Sequence, residues 1–282
     1  MFLYGQPVIR IHNHDQPAIT MEILVHAITG CAAGSTAACG TVGFPRKIAV
    51  IAAGLIGGVM PDIDALSLAP GFDSAIGALL HLTHSGKEIF FGSFPYSHRM
   101  AMHSLTVPFA VIITGFVIMK IIRHMKEEHR SSEFAYRAAA AFGCAYTLHL
   151  FCDMVTPAGI WGGIRLLYPA DLAFGGWGLR WWWNNYDITL AGFIVASVTS
   201  GLSFITAIPA RIRNTAAVMI LSVGIITCGF NITRGTLNYN DGRIAYCTKQ
   251  NLSLTSQKKM LGNRLFLIIH RVYASVEIRT AR

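Results

Sequence analysis

Charged residues are scarce in this sequence, and acidic residues especially so. Only 13% of the 282 residues are Asp, Glu, Lys or Arg, and the 14 acidic residues stand against 23 basic ones. This excludes the ordinary soluble class, in which about 25% of residues are charged. A hydrophobic fraction of 53% and a mean hydropathy of +0.47 point the same way. We therefore expect a protein whose solvent is the lipid bilayer.

Paired cysteines and a clustered basic surface are also missing. The six cysteines form no Cys-x-x-Cys pair and mostly lie within apolar stretches, where cysteine behaves as a small hydrophobic residue, so no disulfide framework is predicted. The net charge of +9 comes from Lys and Arg placed between apolar blocks, without the basic face typical of nucleic-acid binding. The expected partner is the bilayer, and no nucleic acid.

Six apolar stretches are long enough, or nearly so, to cross about 30 Å of hydrocarbon as helices. They cover residues 22–43, 47–60, 104–122, 135–155, 188–208 and 214–231. The second stretch is short, and the first is rich in Gly, Ala, Ser and Thr, which favours close helix packing over lipid contact. The sequence predicts an all-α, polytopic transmembrane helix bundle of about six spans, with polar loops gathered on one face.

The chain divides into three parts by composition. Residues 1–21 are predicted to be an N-terminal extension, with Met21 as an alternative start, and residues 22–231 to be the membrane-embedded domain. Residues 232–282 form a basic tail with nine Lys or Arg and no apolar run long enough to recross a membrane. Within this tail, 264–276 is expected to be at most a short helix or strand, and the role of the tail is left open.

Basic residues in the short loops predict the orientation of the bundle. One end receives Arg46, Lys47, Lys120, Arg123, Lys126, Arg130, Arg211 and Arg213. By the positive-inside rule this end is cytoplasmic. The opposite face, which receives the N-terminus, loops 61–103 and 156–187 and the tail from Ile232, is then extracytoplasmic, although the nine Lys or Arg of the tail conflict with this orientation. Its second loop contains Trp177, Trp181, Trp182 and Trp183, a pattern that indicates an interfacial anchor.

Apolar flanks do not explain a set of His and Asp residues at the ends of four predicted spans. They are His26 near the start of the first, Asp62 and Asp64 at the exit of the second, His98 and His103 at the entry of the third, and His149 and Asp153 at the exit of the fourth. Because the spans alternate in direction, all four ends reach the same membrane face. The sequence thus predicts one layer of imidazoles and carboxylates.

The spacing of these residues favours a cation site. His149 and Asp153 are four residues apart in a helical stretch, so both side chains project from one face. Asp62 and Asp64 follow Pro61, which is expected to end the second helix and begin an extended link with both carboxylates on one side. Carboxylates held together repel each other unless a cation or a proton lies between them.

Mixed imidazole and carboxylate ligands suit Zn²⁺, Mn²⁺ or Fe²⁺. We expect a divalent metal ion, zinc foremost with manganese or iron as alternatives. The expected ligands are His26, Asp62, Asp64, His103, His149 and Asp153. We place His98 in the preceding loop and His103 at the start of the third span. Because an open coordination position lowers the pKa of a bound water, hydrolysis is the expected reaction class.

Several of these residues also have a simpler interpretation. A lone interfacial histidine such as His26, His81 or His84 is usually a hydrogen-bonded residue at a helix end. Asp62 and Asp64 are also good turn and N-cap residues. An ionisable pair inside an apolar span is harder to explain in this way, because burying a charge there is costly.

The four motifs resemble the signature of the YdjM-like family of inner-membrane, metal-dependent hydrolases. The matching residues are His26 and Gly30, then Pro61, Asp62 and Asp64, then His98, Arg99, His103 and Ser104, and finally His149, Asp153, Thr156, Pro157 and Gly159. They span roughly residues 22–170 in the order of the family pattern. The resemblance implies a multi-pass inner-membrane protein with hydrolase activity.

Our leading hypothesis is a membrane-bound metal-dependent hydrolase that acts on a phosphoester or lipid-linked substrate at the membrane face. Catalytic roles are expected for Asp64, His98 and Arg99, whose planar guanidinium suits a phosphate or a leaving anion. Met100 and Met102 stand where the family usually has Gly and Thr, so a catalytically inactive structural membrane protein is one alternative. An ion or small-solute transporter is another, although its sites usually lie near the bilayer midplane.

Overall fold

The computed structural model of the protein describes residues 20–126, 129–156, 161–175, 186–231 and 246–276. The α-helices in these ranges are α1 (Thr20–Ala38), α2 (Phe44–Val59), α3 (Gly86–Phe91), α4 (Thr106–Lys126), α5 (His129–Val155), α6 (Tyr186–Phe204), α7 (Ala210–Asn231) and α8 (Tyr246–Val276). No strand occurs in the described residues, where β-pairing is limited to an isolated bridge between Ile164 and Phe174. The predicted all-α class is confirmed.

Four helices are long and apolar enough to cross a membrane. They are Phe44–Leu68, Glu133–Val155, Tyr186–Phe204 and Ala210–Phe230. Two shorter apolar helices, Ile23–Ala38 and Thr106–Ile121, accompany them. The second predicted stretch is longer than the sequence indicated, because α2 continues directly into a 3-10 helix over Met60–Leu68. The chain is therefore a transmembrane helix bundle.

Helix α1 lies at the centre of the bundle, packed against α2, α5, α6 and α7. It crosses α2 at close range because Gly30 and Gly34 of α1 face Gly54 and Gly58 of α2. A Cβ atom on Gly54 would lie 2.6 Å from the carbonyl oxygen of Gly30, which leaves no room for a side chain. Small residues allow this approach of two backbones in lipid. The crossing brings the start of α1 beside the end of α2.

Replacing Gly54 by alanine is expected to destabilise the bundle by about 2 kcal/mol, since the added methyl group must push two backbones apart. The matched control is Gly201→Ala in α6, where an added Cβ meets no atom within 4 Å. This control is expected to be neutral or up to about 1 kcal/mol stabilising, because alanine is the better helix former. Thermal unfolding of the detergent-purified proteins measures both, and equal stability of the two variants would contradict the close crossing.

Two buried cations lie at the end of the bundle that is remote from the His and Asp residues. The Lys47 ammonium donates to the carbonyl oxygen of Ser203. Arg213 donates from Nε to the carbonyl oxygen of Cys39 at 3.3 Å and from Nη1 to that of Ile205 at 2.8 Å. These carbonyls belong to the carboxyl ends of α1 and α6, where a cation is favoured. Lys47 and Arg213 are therefore helix caps, not the loop residues that the sequence predicted.

Part of the basic tail forms a broken helix. α8 continues through Gly262, whose φ of 74° interrupts the helical backbone. The expected short element at 264–276 is thus the second half of a longer helix. Its Phe266 and Ile269 pack into a core cluster with Val25, Val155, Tyr186 and Ile188. Since these residues lie at one end of α1, α5 and α6, α8 lies at the end of the bundle that also holds the His and Asp residues.

Basic residues occur at both ends of the bundle, as the predicted placement of the tail on the face of the His and Asp residues implies. Lys47 and Arg213 are buried at one end. Exposed basic residues of α8 lie at the other, namely Lys258, Lys259, Arg264 and Arg271. The predicted aromatic anchor at Trp177, Trp181, Trp182 and Trp183 lies outside the described residues, as do residues 1–19 and 232–245 of the chain ends.

Candidate metal centre

The segment between α2 and α4 folds over one end of the bundle and carries five of the predicted site residues. Asp62 and Asp64 lie in the 3-10 helix Met60–Leu68, against which α3 packs. α3 begins with a capping box, in which the Glu88 N–H donates to Ser85 Oγ at 3.3 Å and the Ser85 N–H donates to Glu88 Oε2 at 2.8 Å. A further 3-10 turn, Ala101–His103, places His103 just before α4.

The structure corrects the predicted link after Pro61. The chain is not extended there, because Pro61 occupies the first turn of the 3-10 helix, a position that tolerates proline. With three residues per turn, the side chains of Asp62 and Asp64 point about 120° apart. The turn directs Asp62 towards His103 and Asp64 towards His98, and both carboxylates remain within 3.8 Å of His98 Nδ1.

Two carboxylates and three imidazoles meet in one buried cluster, which we call the inner group: His26, Asp62, His103, His149 and Asp153. The Nε2 atom of His103 lies 3.2 Å from both Asp62 Oδ1 and Asp153 Oδ2. The Nε2 atom of His149 lies 3.3 Å from Asp153 Oδ2 and 3.6 Å from Asp62 Oδ1. The Nε2 atom of His26 lies 3.3 Å from Asp153 Oδ1. None of the five is more than 5% exposed.

Asp64 and His98 adjoin the inner group through Asp62, and we call Asp62, Asp64 and His98 the outer group. The Nδ1 atom of His98 lies 3.1 Å from Asp64 Oδ2 and 3.8 Å from Asp62 Oδ1. The ligand atoms of the outer group lie within 4.8 Å of one another, as do those of Asp62, His103, His149 and Asp153. All seven predicted His and Asp residues are therefore brought together.

The spacing of these atoms suits a shared cation. Zinc binds nitrogen and oxygen at about 2.0–2.2 Å, so two ligands of one ion lie about 3.0–3.5 Å apart. In addition, His149 Nε2, Asp62 Oδ2 and Asp153 Oδ2 are buried and make no hydrogen bond, since the short approaches to Asp153 Oδ2 lack hydrogen-bond geometry. Buried polar atoms nearly always have a partner. A cation would supply one to all three.

The hydrogen bonds of two rings assign them different roles. His149 Nδ1 donates to the carbonyl oxygen of Gly58 at 2.7 Å, so its Nε2 presents a lone pair, which is the arrangement typical of metal-binding histidines. His103 has the opposite arrangement, because its Nδ1 accepts the Arg99 N–H at 3.1 Å. The proton of a neutral His103 ring is therefore on Nε2, facing Asp62 and Asp153. His149 suits a ligand, and His103 suits a donor to the carboxylates.

The two loop histidines, His98 and His103, differ in the direction in which their pKa is shifted. Burial lowers the pKa of His98 and outweighs the opposing effect of Asp64, so that the pKa lies below its ordinary value. Burial acts on His103 in the same direction, but the neighbouring carboxylates of Asp153 and Asp62 outweigh it and raise the pKa of His103 to about 10. The two inner carboxylates thus strongly favour a positive charge beside them.

Arg99 is fully buried next to this cluster. Its backbone has a φ of 62°, a left-handed conformation that is uncommon for residues other than glycine. Its Nη2 donates to Thr156 Oγ1 at 3.4 Å, and Thr156 Oγ1 donates to the carbonyl oxygen of Asp153 at 2.9 Å. The guanidinium also lies over the ring of Trp161, at 5.5 Å from its centroid. Arg99 is therefore held at the end of α5, beside Asp153.

Aromatic residues around His98 were not predicted from the sequence. Phe90 stacks on His98 with ring centroids 4.4 Å apart, and the Trp161 ring meets it edge-on at 4.7 Å. Neither residue lies near His98 in the sequence, so no local pattern could have indicated them. His81, which is exposed, and His84, which contacts the Phe94 ring at 4.4 Å, lie outside both groups.

Tyr146 was also missed, although its spacing offered a signal. It lies three residues before His149, on the same face of α5, and its hydroxyl donates to the carbonyl oxygen of Met102. The carbonyl oxygen of Met100 accepts the His103 N–H at 3.0 Å. At both methionines these contacts are made by the main chain, which any residue supplies. The 3-10 turn that carries His103 thus forms with methionine at both positions.

Comparison with protein families gave one match. A model described as YdjM inner membrane protein matches residues 21–234, which includes every residue of the inner and outer groups and confirms the resemblance seen in the sequence. Searches of curated proteins and of solved structures gave no match.

Proposed function

This chain belongs to the YdjM inner membrane protein family, and we propose that it is a membrane-bound, metal-dependent hydrolase. The observation that carries the proposal is the inner group, in which His149 Nε2, Asp62 Oδ2 and Asp153 Oδ2 are buried without hydrogen bonds. Burying such atoms unpaired costs about 1–3 kcal/mol each, more for a charged group. A bound cation would remove that cost, which supports a metal centre at this position.

Zinc is the proposed ion, with manganese or iron as alternatives of the same ligand preference. His149, Asp153 and Asp62 would hold it, with His26 3.3 Å from Asp153 as a further ligand. A bound divalent cation polarises substrate oxygens and lowers the pKa of water. His103 would donate its Nε2 proton to Asp62 Oδ1 at 3.2 Å and so orient that carboxylate. We propose catalytic roles for Asp64, His98 and Arg99, which adjoin this set.

Arg99 favours a phosphoester as the group that is cleaved. Its guanidinium is permanently charged and planar, and it matches the geometry of phosphate oxygens. Being fully buried beside Asp153, it would act on an anion drawn inside the site, where a charge-assisted hydrogen bond is stronger than in water. The proposed role of Arg99 is to stabilise negative charge on the substrate.

An apolar groove beside the cluster supports a substrate with a hydrocarbon chain. It has a volume of about 340 Å³ and lies between α1, α5, α6 and α7, within the range of about 300–1,000 Å³ typical of ligand pockets. Its lining contains Thr29, which follows His26 by about one helical turn, and Cys152, which precedes Asp153 in α5, so the groove runs along helices that carry the inner group. A lipid-linked phosphoester would place its chain in this groove and its phosphate at the cluster.

An assay in lipid nanodiscs tests this function. We expect the protein to hydrolyse long-chain phosphoesters faster than a short-chain analogue, to lose activity on chelation and to regain it with Zn²⁺. Ala191→Phe, which fills the groove, is expected to lower turnover of the long-chain substrate about tenfold and to spare the short one. This factor corresponds to about 1.4 kcal/mol of lost contact. The control is Val198→Phe on the exposed side of α6.

Other outcomes of the same sample would replace the proposal. Bound metal without turnover of any phosphoester would favour the catalytically inactive structural protein. Ion or solute movement into sealed vesicles would favour the transporter. Equal loss of long-chain and short-chain turnover in Ala191→Phe would remove the groove from the substrate site.

A further inference from the structure

Asp62 occupies a position between the inner and outer groups. Its Oδ1 lies 3.2 Å from His103 Nε2 and 3.6 Å from His149 Nε2 on one side, and 3.8 Å from His98 Nδ1 on the other. Its Oδ2 lies 3.8 Å from His26 Nε2, on the inner side, and is buried without a hydrogen bond. A carboxylate offers about four lone-pair sites, so Asp62 retains the capacity to bind on both sides at once.

The outer group has a geometry of its own. Both oxygens of Asp64 approach His98 Nδ1, at 3.1 and 3.2 Å. The 3-10 helix produces this arrangement, because it turns Asp64 about 120° away from Asp62. The fold thus builds two adjoining sets of ligand atoms that share one carboxylate.

The position of Asp64 also favours a second cation. Asp62, Asp64 and Asp153 bring three carboxylates into one region, and Arg99 is the permanently charged cation described there. Carboxylates this close raise the energy of one another unless cations separate them. A single divalent ion among Asp62, His149 and Asp153 would leave Asp64 facing the His98 ring. A second ion between Asp64, His98 and Asp62 would neutralise it.

We propose that the centre binds two divalent cations, one in each group, with Asp62 as the ligand they share. The proposal rests on the proposed metal-dependent function for its chemistry, and on the separate geometry of Asp64 and His98 for its second ion. Paired ions about 3.5–4 Å apart clamp the attacking and leaving oxygens in enzymes such as phosphatases and nucleases. Together with Arg99, this assigns a phosphoester as the class of substrate.

The surroundings of the outer group are those of a ligand site. Phe90 stacks on the His98 ring, and Trp161 contacts the same ring edge-on. Packing therefore fixes the orientation of the His98 ring. A hydrophobic shell of this kind limits the access of solvent to a metal and strengthens its electrostatic interactions. His98 is 4% exposed and Asp62 5% exposed, which places their ligand atoms in that dry environment.

Metal analysis of the purified full chain, equilibrated with Zn²⁺ and freed of excess ion, tests the proposal. We expect about two ions per chain for the unaltered protein and about one for Asp64→Asn or His98→Gln, because either substitution removes a ligand of the outer ion alone. Asp62→Asn is expected to lose both. The matched control is Asp171→Asn, an 88% exposed carboxylate paired with Arg165, which should retain about two ions.

Manganese gives a second readout, for which the unaltered protein alone is sufficient. Two Mn²⁺ ions sharing Asp62 are expected to give the electron paramagnetic resonance spectrum of a spin-coupled pair, and Asp64→Asn to give that of an isolated ion. Circular dichroism and size-exclusion chromatography confirm that the variants are folded. Should a variant fail to fold, the metal count and spectrum of the unaltered protein decide the question.

The outcomes separate this proposal from the proposed function. One ion per chain, unchanged in Asp64→Asn, overturns the outer ion and leaves a one-metal hydrolase intact. Two coupled ions without hydrolysis uphold the paired centre and overturn the hydrolase. Absence of bound metal overturns both.

Discussion

Replacing both His149 and Asp153 by alanine is expected to abolish high-affinity metal binding and hydrolysis together. These residues contribute His149 Nε2 and Asp153 Oδ2, which lie 3.3 Å apart on one face of α5. Losing residues that only support a ligand typically costs 10–100-fold in metal affinity or activity, so losing two ligands should cost more than about 100-fold. Calorimetric titration of the detergent-purified protein with Zn²⁺ measures the affinity, and the phosphoester assay measures turnover.

The control is a second double variant, in which one histidine and one aspartate outside the cluster are replaced. His84→Ala with Asp171→Ala removes one imidazole and one carboxylate whose contacts are with the Phe94 ring and with Arg165. Its zinc affinity should equal that of the unaltered protein. Retention of zinc affinity by the His149 and Asp153 variant, with its fold intact, would remove the inner group from consideration as a metal site.

The second large effect is expected for Arg99→Lys. Lysine keeps the positive charge but lacks the planar fork that binds two phosphate oxygens. Loss of one preorganised donor to a developing charge typically costs about 10²–10³ in kcat, and we expect a loss of that size here. Metal content should be unchanged, because the Arg99 side chain donates to Thr156 and lies outside the proposed ligand set.

A matched substitution distinguishes this effect from a general cost of changing arginine to lysine. Arg137→Lys alters an arginine paired with Glu133 at 2.9 Å, in the half of α5 away from the cluster, and is expected to keep full turnover. If Arg99→Lys also hydrolyses phosphoesters at the rate of the unaltered protein, the assigned role of Arg99 is wrong. If it loses metal, Arg99 maintains the fold of the site instead.

Most residues of the cluster could be predicted from the sequence, for a physical reason. A bilayer forces apolar stretches to alternate in direction, so the ends of helices at one face can be counted without knowing how the helices pack. His26, His103, His149 and Asp153 were placed together by this count alone. The helical period then placed His149 and Asp153 on one face. Both arguments depend on regular structure, which sequence patterns specify well.

The conformation of the irregular segments could not be predicted in this way. The sequence predicts that Pro61 ends a helix and begins an extended link, whereas the chain continues as a 3-10 helix that directs Asp62 towards His103 and Asp64 towards His98. Proline is compatible both with the end of a helix and with the first turn of a 3-10 helix. The 3-10 helix forms here, and it packs against α3. The contact of Trp161 with His98 joins residues far apart in the chain, and local pattern carries no information about such contacts.

Charge patterns were misleading where side chains are buried. Lys47 and Arg213 count as loop charges in the positive-inside rule, yet each reaches into the bundle to cap carbonyl groups of a neighbouring helix. A rule that counts charges per loop takes no account of these caps. The basic tail lies at the cluster end as α8, so the conflict between its charges and the predicted orientation stays.

The most direct test of the central claim is to locate the metal. Diffraction data recorded from zinc-soaked crystals on both sides of the zinc absorption edge are expected to show an anomalous peak about 2.0–2.2 Å from His149 Nε2 and from carboxylate oxygens of Asp62 and Asp153. A well-ordered map in which these side chains are hydrogen-bonded to one another, with no anomalous peak between them, would contradict the account.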